Sequence, residues 1–590
     1  MKKSLILIST AMLMSCSGVN NSGKIVPAID MSNIDSTVSM SDDFYQYATG
    51  GWQKNNPIGD EFARYGAFDL LRENNKEQIK ELFTSLEGKK FAKGSVEQKI
   101  TDIYNQGLDS VKLNKDGATP ILADLKQVES VVDRASFSKE LARIHKSMNN
   151  PFFAAYVYID DMNSSVNILN IVQSGLGMGN RDYYLEDENK EIREEYQKFI
   201  EKIYSLAGYD NSETKRIVKS VMTIENAIAK ASKSNVELRD PVANYNMVAI
   251  DDFKVRYSAI DWDIYAEEVD FELPSGINVA QLAQLDMVNK LIAEGDYQML
   301  RDYLSFNILN AAATYMSDDL YAANFEFYDK TMSGKLEQEA RWKRALAIPN
   351  GVLGEAVGEM YVEKYFPAEY KAQMMGIVDN LRDALSKHIA ELDWMSDETK
   401  AKAQDKLATI TVKIGYPDKW KDYSSLEIDA ELSYWDNIKN MNNWLTADNL
   451  KDLKEPVDKS RWHMSPQTVN AYYNPPTNEI CFPAAILQPP FFNFAADDAV
   501  NYGAIGVVIG HEMTHGFDDQ GRQYDKDGNL SNWWSDADAD AFNAKAKVLV
   551  EQFDAVEVLD GVYANGAFTL GENIADQGGL RVAYTAIPRR

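Results

Sequence analysis

The stretch from Gly503 to His515 has the sequence Gly-Ala-Ile-Gly-Val-Val-Ile-Gly-His-Glu-Met-Thr-His, which predicts an apolar helix that ends in the pattern His-Glu-x-x-His. On a helix, His511 and His515 lie one turn apart on the same face, so both imidazoles can bind one Zn²⁺ at about 2.0–2.1 Å. Glu512 is rotated away from that face by about 100°. We therefore expect Glu512 to touch a water molecule bound to the ion from the side, and not to be a third ligand on this face.

This pattern is specific because histidine is rare in the chain. Only five histidines occur among 590 residues, and random placement gives the arrangement with a frequency of roughly 0.005. The same pattern is typical of zinc-dependent proteases, in which the glutamate activates water. The alternative at this point is a pair of structural histidines on a buried helix.

A catalytic zinc site usually has three protein ligands and one open position, so a third ligand must come from elsewhere in the chain. The segment Gly571–Asp576 places Glu572 and Asp576 four residues apart, on one face of a predicted helix. If Glu572 binds zinc, Asp576 can accept the second ring N–H of a ligand histidine and fix its tautomer. Asp518 is placed to do the same for His515. The alternatives are a solvated acidic face for the first pair and a charge pair at a helix end for Asp518.

The composition indicates a large globular protein. At about 150 residues per domain, 590 residues predict two to four compact units, and 45% hydrophobic residues provide ample material for a core. The net charge of -29 disfavours binding to nucleic acid and to anionic lipid through basic residues. Two cysteines, Cys16 and Cys481, cannot form a disulfide framework.

The N-terminus has the features of a bacterial lipoprotein signal. Lys2 and Lys3 precede a short apolar run, and Leu13-Met14-Ser15-Cys16 resembles a lipobox, whose cysteine becomes lipidated. We predict a signal peptide at residues 1–15, a flexible tether at residues 16–41 and attachment to the membrane through Cys16. The mature protein is then extracytoplasmic, on the periplasmic or cell-surface face of the envelope. The alternative is an ordinary secretory signal with a chance cysteine.

Most of the remaining chain has the periodicity of amphipathic helices. Two pairs of strands interrupt this pattern. The first pair lies at residues 152–159 and 166–172, and the second at residues 469–473 and 479–482. The predicted helical stretches are residues 73–149, 188–236, 279–347, 353–364 and 371–407.

Three segments, Val469–Tyr473, Val508–Gly521 and Glu572–Asp576, resemble in this order the motifs of the neprilysin family of zinc endopeptidases. The resemblance runs from about Asp42 to the end of the chain. It implies a mainly α fold with small β-sheets: a two-domain zincin in which a thermolysin-like catalytic domain and a large helical lid domain enclose a central cavity. Residues 42–415 would form the mostly helical N-terminal region, with the lid at roughly 80–350, and residues 416–590 the zinc-binding region. Further matches are Gly50–Trp52, Arg64–Asp69, Gly177–Tyr184, Arg239–Pro241, Ile414–Pro417 and Asn532–Trp534.

The resemblance also implies roles for individual residues. His511, His515 and Glu572 would be the ligands of one Zn²⁺ per chain, with Glu512 as the catalytic general base and Asp576 as a further catalytic-site residue that supports a ligand histidine. The residues that would contact substrate fall into three groups. Asn470 and Ala471 would hold the substrate backbone, and Arg64, with Asp69 and Arg72 as neighbours, would meet a terminal carboxylate. An apolar pocket would be formed by Phe68, Ile486, Phe491, Val507 and Val508. The alternatives are a surface salt bridge for Arg64 and plain core packing for the pocket residues.

The family continues past its third ligand to a histidine that stabilises the oxyanion and an arginine that holds the substrate carbonyl. This sequence ends at Arg590, 14 residues after Asp576 (590 − 576), with no later histidine. We therefore expect a shortened catalytic region. Loss of one oxyanion donor typically costs about 10²–10³ in rate.

These observations predict a zinc-dependent endopeptidase that hydrolyses short oligopeptides on the amino side of hydrophobic residues. Two alternatives stay open. One is a zinc-binding pseudo-peptidase or fragment without turnover, and the other is an extracytoplasmic lipoprotein that binds peptides or glycans. The sequence predicts neither a nucleic-acid nor a protein partner.

Overall fold

The computed structural model describes residues 29–588, which are mostly helical and contain three small β-sheets. The prediction of a mainly α fold with small sheets is confirmed. The predicted signal peptide at residues 1–15 and the predicted lipidation site, Cys16, lie outside the described residues.

The described end of the predicted tether is packed against the first helix, α1 (Phe44–Asn55). The N–H of Asp35 donates to the carbonyl of Tyr47 at 2.8 Å. A Cβ atom on Gly51 would lie 2.2 Å from the carbonyl oxygen of Ser32, so the helix and this segment meet backbone to backbone. The prediction of a flexible tether is therefore wrong for residues 29–41. For residues 16–28, which lie outside the described residues, it stays a prediction.

The α-helices are distributed along the whole of the described part of the chain. The helices up to residue 352 are α1, α2 (Ala67–Thr84), α3 (Val96–Leu108), α4 (Ser110–Asp116), α5 (Leu122–Val128), α6 (Arg134–Ser147), α7 (Asp182–Leu185), α8 (Lys190–Leu206), α9 (Asn211–Ala231), α10 (Ile250–Arg256), α11 (Trp262–Val269), α12 (Leu282–Glu294), α13 (Tyr297–Ala312), α14 (Asp318–Asn324) and α15 (Arg341–Val352). The later helices are α16 (Gly354–Tyr365), α17 (Ala368–Glu391), α18 (Asp397–Ala408), α19 (Tyr434–Leu450), α20 (Asp498–Gly503), α21 (Ile505–His515), α22 (Asp536–Asp554) and α23 (Leu570–Ala586).

The long helical stretches predicted from periodicity are divided into shorter helices, several of them at glycines. Gly88, Gly94 and Gly117 interrupt the stretch predicted at residues 73–149, and their φ angles are 71°, 86° and 55°. Gly208, with φ 91°, separates α8 from α9. Gly117 caps α4 and Gly208 directly follows the cap of α8, whereas Gly88 and Gly94 lie in the connection between α2 and α3. Positive φ angles are open to glycine and costly for other residues, so the helical path is interrupted although the apolar period continues.

The strands form three separate sheets in the described part of the chain. The first has the order β1-β2-β4-β3, in which β1 and β2 are the antiparallel hairpin predicted from the sequence. The second has the order β5-β7-β6, with β7 central, parallel to β5 and antiparallel to β6. The third is the hairpin β8-β9. The strands are β1 (Phe153–Asp160), β2 (Asn163–Gln173), β3 (Met247–Ala249), β4 (Gly276–Val279), β5 (Thr411–Gly415), β6 (Tyr472–Asn474), β7 (Glu479–Pro483), β8 (Glu557–Leu559) and β9 (Val562–Tyr563).

The second predicted hairpin is present, but its first strand is shorter and shifted. Pairing with β7 begins at Tyr472, opposite Cys481, and ends at Asn474, opposite Glu479. Asn470 and Ala471, predicted to lie on this strand, therefore come immediately before it. The strand β6 is the edge of its sheet.

Two other features bear on the predictions for the whole chain. Cys481 is a free and fully buried thiol. Within residues 29–588, none of the helices has both the length and the apolar character needed to cross a bilayer.

Candidate active site and metal centre

The two helices that carry the predicted zinc ligands, α21 and α23, meet with no side chain between them. A Cβ atom on Gly510 would lie 2.9 Å from the Cα atom of Gly579. A Cβ atom on Gly579 would lie 2.5 Å from the carbonyl oxygen of Val507 and 2.7 Å from the nitrogen of His511. Because these separations are far below van der Waals contact, any residue other than glycine would push the helices apart. The other side of α21 is fixed in the core by the fully buried Ile505, Ile509 and Met513.

His511, His515 and Glu572 converge on one point beside this helix contact. The Nε2 atoms of the two histidines are 2.9 Å apart, and Oε2 of Glu572 lies 3.3 Å from Nε2 of His511 and 3.7 Å from Nε2 of His515. Ligand atoms around a tetrahedral Zn²⁺ would be about 3.3 Å apart for bonds of about 2.0–2.1 Å. The spacing therefore fits a zinc ion, and two imidazole nitrogens with one carboxylate oxygen are a donor set that zinc accepts.

Each histidine is held from behind by a carboxylate. Nδ1 of His511 lies 2.8 Å from Oδ1 of Asp576, and Nδ1 of His515 lies 2.7 Å from Oδ2 of Asp518. When Nδ1 donates its proton to a carboxylate, the lone pair of Nε2 is free to face a metal ion. Both contacts have the arrangement that the sequence predicted.

The carboxylates also change the protonation of the site. Burial lowers the pKa of His511, but hydrogen bonds to Asp576 and Glu572 outweigh burial and raise this pKa to about 9. Burial of His515 is outweighed in the same way by Asp518 and Glu572, which raise the pKa of His515 to about 10. Hydrogen bonds from His511 and His515 hold the pKa of Glu572 well below its usual range. The surroundings thus favour positive charge at the point of convergence, which a divalent cation satisfies.

Glu512 lies beside the histidines but in a different environment from Glu572. Potential ligand atoms of His511, Glu512 and His515 are all within 4.8 Å of one another, so distance alone allows Glu512 as a ligand. However, Glu512 is only 6% exposed, whereas the side chain of Glu572 is 65% exposed. Burial raises the pKa of Glu512 to about 7, although His515 and His511 act in the opposite direction. A carboxyl group with a pKa near neutrality is suited to accept and release a proton, so the environment of Glu512 favours a general base.

A cavity of about 460 Å³ opens over these residues. Its lining includes the three potential ligands and Glu512, together with Asn470 and Ala471. Asn470 is exposed and Ala471 is buried. The structure therefore brings the backbone just before the edge strand β6 to the same cavity as the ligand cluster.

Of the residues predicted to bind a terminal carboxylate, Arg72 and Asp69 are in contact, and none of the three is among the described residues that line this cavity. Arg72 pairs with Asp69 at 3.1 Å and lies over the ring of Phe68, 5.6 Å from its centroid. Phe68 packs against Phe491 with ring centroids 4.4 Å apart. Arg64 is exposed.

The other predicted pocket residues lie at the core. Ile486 is fully buried within the main hydrophobic cluster, and Val507 and Val508 are half-buried against that cluster. Their contacts therefore agree with the core-packing alternative, and the contact between Phe68 and Phe491 is the part of the predicted pocket that the structure brings together.

Arg239, for which no role at this site was predicted from the sequence, is among the residues that line the cavity. It donates to Asp519, 280 residues further along the chain, at 2.9 and 3.1 Å. The one indication in the sequence was that Arg239 belongs to Arg239–Pro241, a segment that resembles the neprilysin family. Sequence spacing gives no indication of a contact across so long a separation.

Comparison with known proteins places the site in a family. Two family models, both described as Peptidase family M13, match residues 40–417 and residues 470–590. Endothelin-converting enzyme 1 of Bos taurus is 33% identical over 580 residues, which cover 94% of this chain and 76% of that protein.

Solved structures agree with this relationship. The inhibitor complex of the zinc metalloprotease Zmp1 of Mycobacterium tuberculosis matches with a TM-score of 0.92 and 34% identity, over 95% of this chain and 86% of the other. The same mycobacterial protein in an open state matches with a TM-score of 0.74 and 34% identity, over 93% of this chain and 86% of the other. The two-domain architecture predicted from the sequence agrees with these structures.

Proposed function

Because the chain belongs to peptidase family M13 and is by this relationship a metalloendopeptidase, we propose that it hydrolyses short oligopeptides on the amino side of hydrophobic residues, with one zinc ion held by His511, His515 and Glu572. The observation that carries this proposal is the convergence of three ligand atoms next to the buried carboxyl group of Glu512. The boundaries proposed for the catalytic and lid regions are those predicted from the sequence.

The chemistry proposed for the chain follows from these positions. When bound, zinc supplies a Lewis acid that polarises a carbonyl and lowers the pKa of water. Glu512 takes a proton from the attacking water and passes it to the amine that leaves. Asp576 and Asp518 hold the imidazole rings of His511 and His515 in the orientation and tautomer that binding requires.

The substrate is proposed to bind beside β6. This strand is the edge of its sheet, and an extended peptide can pair with the free backbone groups of an edge strand. Asn470 and Ala471, which precede β6 and line the cavity, are proposed to hold the substrate backbone. This mode of binding selects extended chains that are narrow enough to enter a cavity of about 460 Å³.

Preference for a hydrophobic residue is proposed to come from Phe68 and Phe491, whose rings are in contact. Ile486, Val507 and Val508, predicted for the same pocket, pack in or against the core. Arg64, with Asp69 and Arg72 near it, is proposed to meet the free carboxylate of short substrates. An exposed guanidinium suits this role because its planar fork binds a carboxylate through two hydrogen bonds.

The alternative is zinc binding without turnover. The exposure of the side chains of Glu572 and Asp576, 65% and 75%, favours this alternative because an open site loses the electrostatic advantage of excluding water.

Metal removal tests the proposal. We expect the purified protein to contain about one zinc ion per chain and to cleave a quenched fluorescent peptide that has a phenylalanine on the amine side of the cut. Dialysis against a chelator should abolish cleavage, Zn²⁺ should restore it, and Mg²⁺ should not, because zinc accepts imidazole ligands and Mg²⁺ requires oxygen ligands. A zinc-loaded protein that cleaves no member of a peptide library would contradict the proposal and favour the alternative without turnover.

We also propose that a lipid on Cys16 holds the protein to the envelope, on the basis of the sequence Leu13-Met14-Ser15-Cys16. The variant Cys16→Ser, expressed in a bacterial host, should move from the membrane fraction to the soluble extracytoplasmic fraction, since no lipid can then be attached. The matched control is Ser17→Ala, which leaves the cysteine in place. A Cys16→Ser protein that stays with the membrane would refute lipid anchoring at this residue.

A further inference from the structure

Arg239 reaches from the predicted lid region to the loop that follows the zinc-binding helix. It ends a short 3-10 turn, Glu237–Arg239, and its Nη2 donates to both carboxylate oxygens of Asp519, at 2.9 and 3.1 Å. With the side-chain oxygen of Gln520 turned toward the guanidinium, two further hydrogen bonds of 3.1 and 2.9 Å form. The side chains of Arg239 and Asp519 are 19% and 22% exposed, so the pair is largely shielded from water.

The loop that Arg239 holds is the loop that orients His515. Asp518 accepts from His515 Nδ1 at 2.7 Å and from the backbone N–H groups of Gln520 and Gly521 at 2.9 and 2.6 Å. A carboxylate that accepts hydrogen bonds from three groups is closely fixed in orientation. Arg239 fixes the two residues that follow Asp518, and thereby the turn on which the position of Asp518 depends.

The same arginine adjoins the helix of the third potential ligand. A Cβ atom on Gly571 would lie 2.9 Å from Nη2 of Arg239, 3.0 Å from Oδ2 of Asp518 and 3.1 Å from Oδ1 of Asp519. Gly571 directly precedes Glu572. The guanidinium therefore lies where the loop after α21 meets the start of α23. Its positive charge reduces the repulsion between the neighbouring carboxylates of Asp518 and Asp519.

A second part of the predicted lid covers the rest of this loop. The turn between β1 and β2 contributes Asp161, whose carboxylate accepts from the hydroxyl of Tyr524 at 2.9 Å and whose carbonyl accepts from the N–H of Leu530 at 2.6 Å. Ser164 donates to the carbonyl of Asp527 at 2.7 Å. The lid thus contacts the segment after α21 at two places, of which the Arg239 contact is the nearer to His515 in sequence.

We propose that Arg239 is a positioning residue that links the seating of the helical lid to the orientation of His515, through Asp519 and Asp518. When the lid is seated, the turn at residues 518–521 is held and His515 is presented to the metal; when the lid separates, the turn loses its partner from the lid. The structure is more similar to the inhibitor complex of Zmp1 than to its open state, with TM-scores of 0.92 and 0.74. This inference rests on the proposed function for the identity of the metal.

The test measures zinc affinity and kinetics of Arg239→Ala in the full chain. We expect zinc, measured by competition with a chromogenic chelator, to bind about 10–100-fold more weakly, the range found when the partner of a metal ligand is lost. We expect kcat to fall more than KM rises, because the guanidinium of Arg239 is already engaged by Asp519. Arg239→Lys should have a zinc affinity and a kcat between those of Arg239→Ala and the unaltered protein, since an ammonium group cannot bond Asp519 and Gln520 through a planar fork.

The matched control is Arg256→Ala, which also removes an arginine of the lid region that bonds both oxygens of one aspartate, Asp286, at 2.8 and 2.6 Å. This pair is far from the loop in sequence and about half exposed, so zinc affinity and kcat should not change. A double-mutant cycle with Asp519→Asn completes the design. If Arg239 acts through Asp519, the double variant should lose no more zinc affinity than either single variant.

Two results would overturn the proposal. A raised KM with unchanged zinc affinity would make Arg239 a substrate contact, and a lowered melting temperature with unchanged zinc affinity would make it a purely structural ion pair. If Arg239→Ala does not fold, the nearly isosteric Asp519→Asn provides the same comparison. Failure of the proposed function would appear separately, as an absence of hydrolysis by the unaltered protein, while the zinc affinities would still decide the role of Arg239.

Discussion

The variant Glu512→Gln is expected to hydrolyse peptides about 10²–10⁴-fold more slowly than the unaltered protein while it keeps its zinc, because removal of a general base costs a factor of this size. Glutamine has nearly the same shape as glutamate but cannot accept the proton of water. Glu512 is buried and the pKa of its carboxyl group is raised to about 7, so loss of the charge should not destabilise the fold. The measurement is kcat/KM on a fluorescent peptide, together with the zinc content of the purified variant.

Glu551→Gln is the matched control for this change. Glu551 is an exposed residue of α22 that pairs with Lys547 at 3.6 Å on the surface, and its replacement should leave both hydrolysis and zinc content unaltered. If Glu512→Gln cleaves peptides at the rate of the control, Glu512 is not the base and the assignment of the reaction to this residue is wrong.

The variant Glu572→Ala is expected to bind zinc more than about 100-fold more weakly than the unaltered protein. Loss of a residue that only supports a ligand costs up to about 100-fold, and this variant removes a ligand itself. Its carboxylate lies 3.3 and 3.7 Å from the two Nε2 atoms, and the two histidines would remain as the only ligands proposed from protein. The measurement is the dissociation constant for zinc, obtained by competition with a chelator of known affinity.

Addition of excess zinc distinguishes a ligand from a base. Glu572→Ala should recover part of its activity as zinc is raised, because more of the protein then carries the metal, whereas Glu512→Gln should not respond. Asp576→Asn should be intermediate, with a loss of about 10–100-fold in zinc affinity. The reverse pattern, with zinc lost from Glu512→Gln and retained by Glu572→Ala, would show that Glu512 is the ligand.

The ligand cluster could be predicted from the sequence because its parts are short helical motifs. The spacing of His511 and His515, and of Glu572 and Asp576, fixes which side chains share a helical face. The contact of Asp576 with His511 then follows once the two helices are placed together. Local periodicity likewise predicted the β1-β2 hairpin with nearly correct bounds.

What the sequence did not predict depends on contacts between distant segments. The bond from Arg239 to Asp519 joins residues 280 positions apart, and no periodic signal marks it. The strand β6 has only three paired residues, too few for alternation to define its start, so Asn470 and Ala471 were placed on the strand instead of before it. Predicted helices were too long where a glycine with positive φ ends the helix, because periodicity does not report backbone angles.

Because Gly579 fixes where α23 meets Gly510 of α21, the position of the metal ligand Glu572 depends on the number of residues between Glu572 and Gly579. Glu572 lies seven positions before Gly579, close to two complete turns, so the ligand and the glycine share one side of the helix. One residue inserted between Asp576 and Gly579 would turn the carboxylate of Glu572 by about 100° away from the histidines and leave every recognisable motif intact. The geometry of this cation site is therefore specified by the distance in sequence between a ligand and a residue that has no side chain, and a search for ligand motifs alone would pass over the element that sets it.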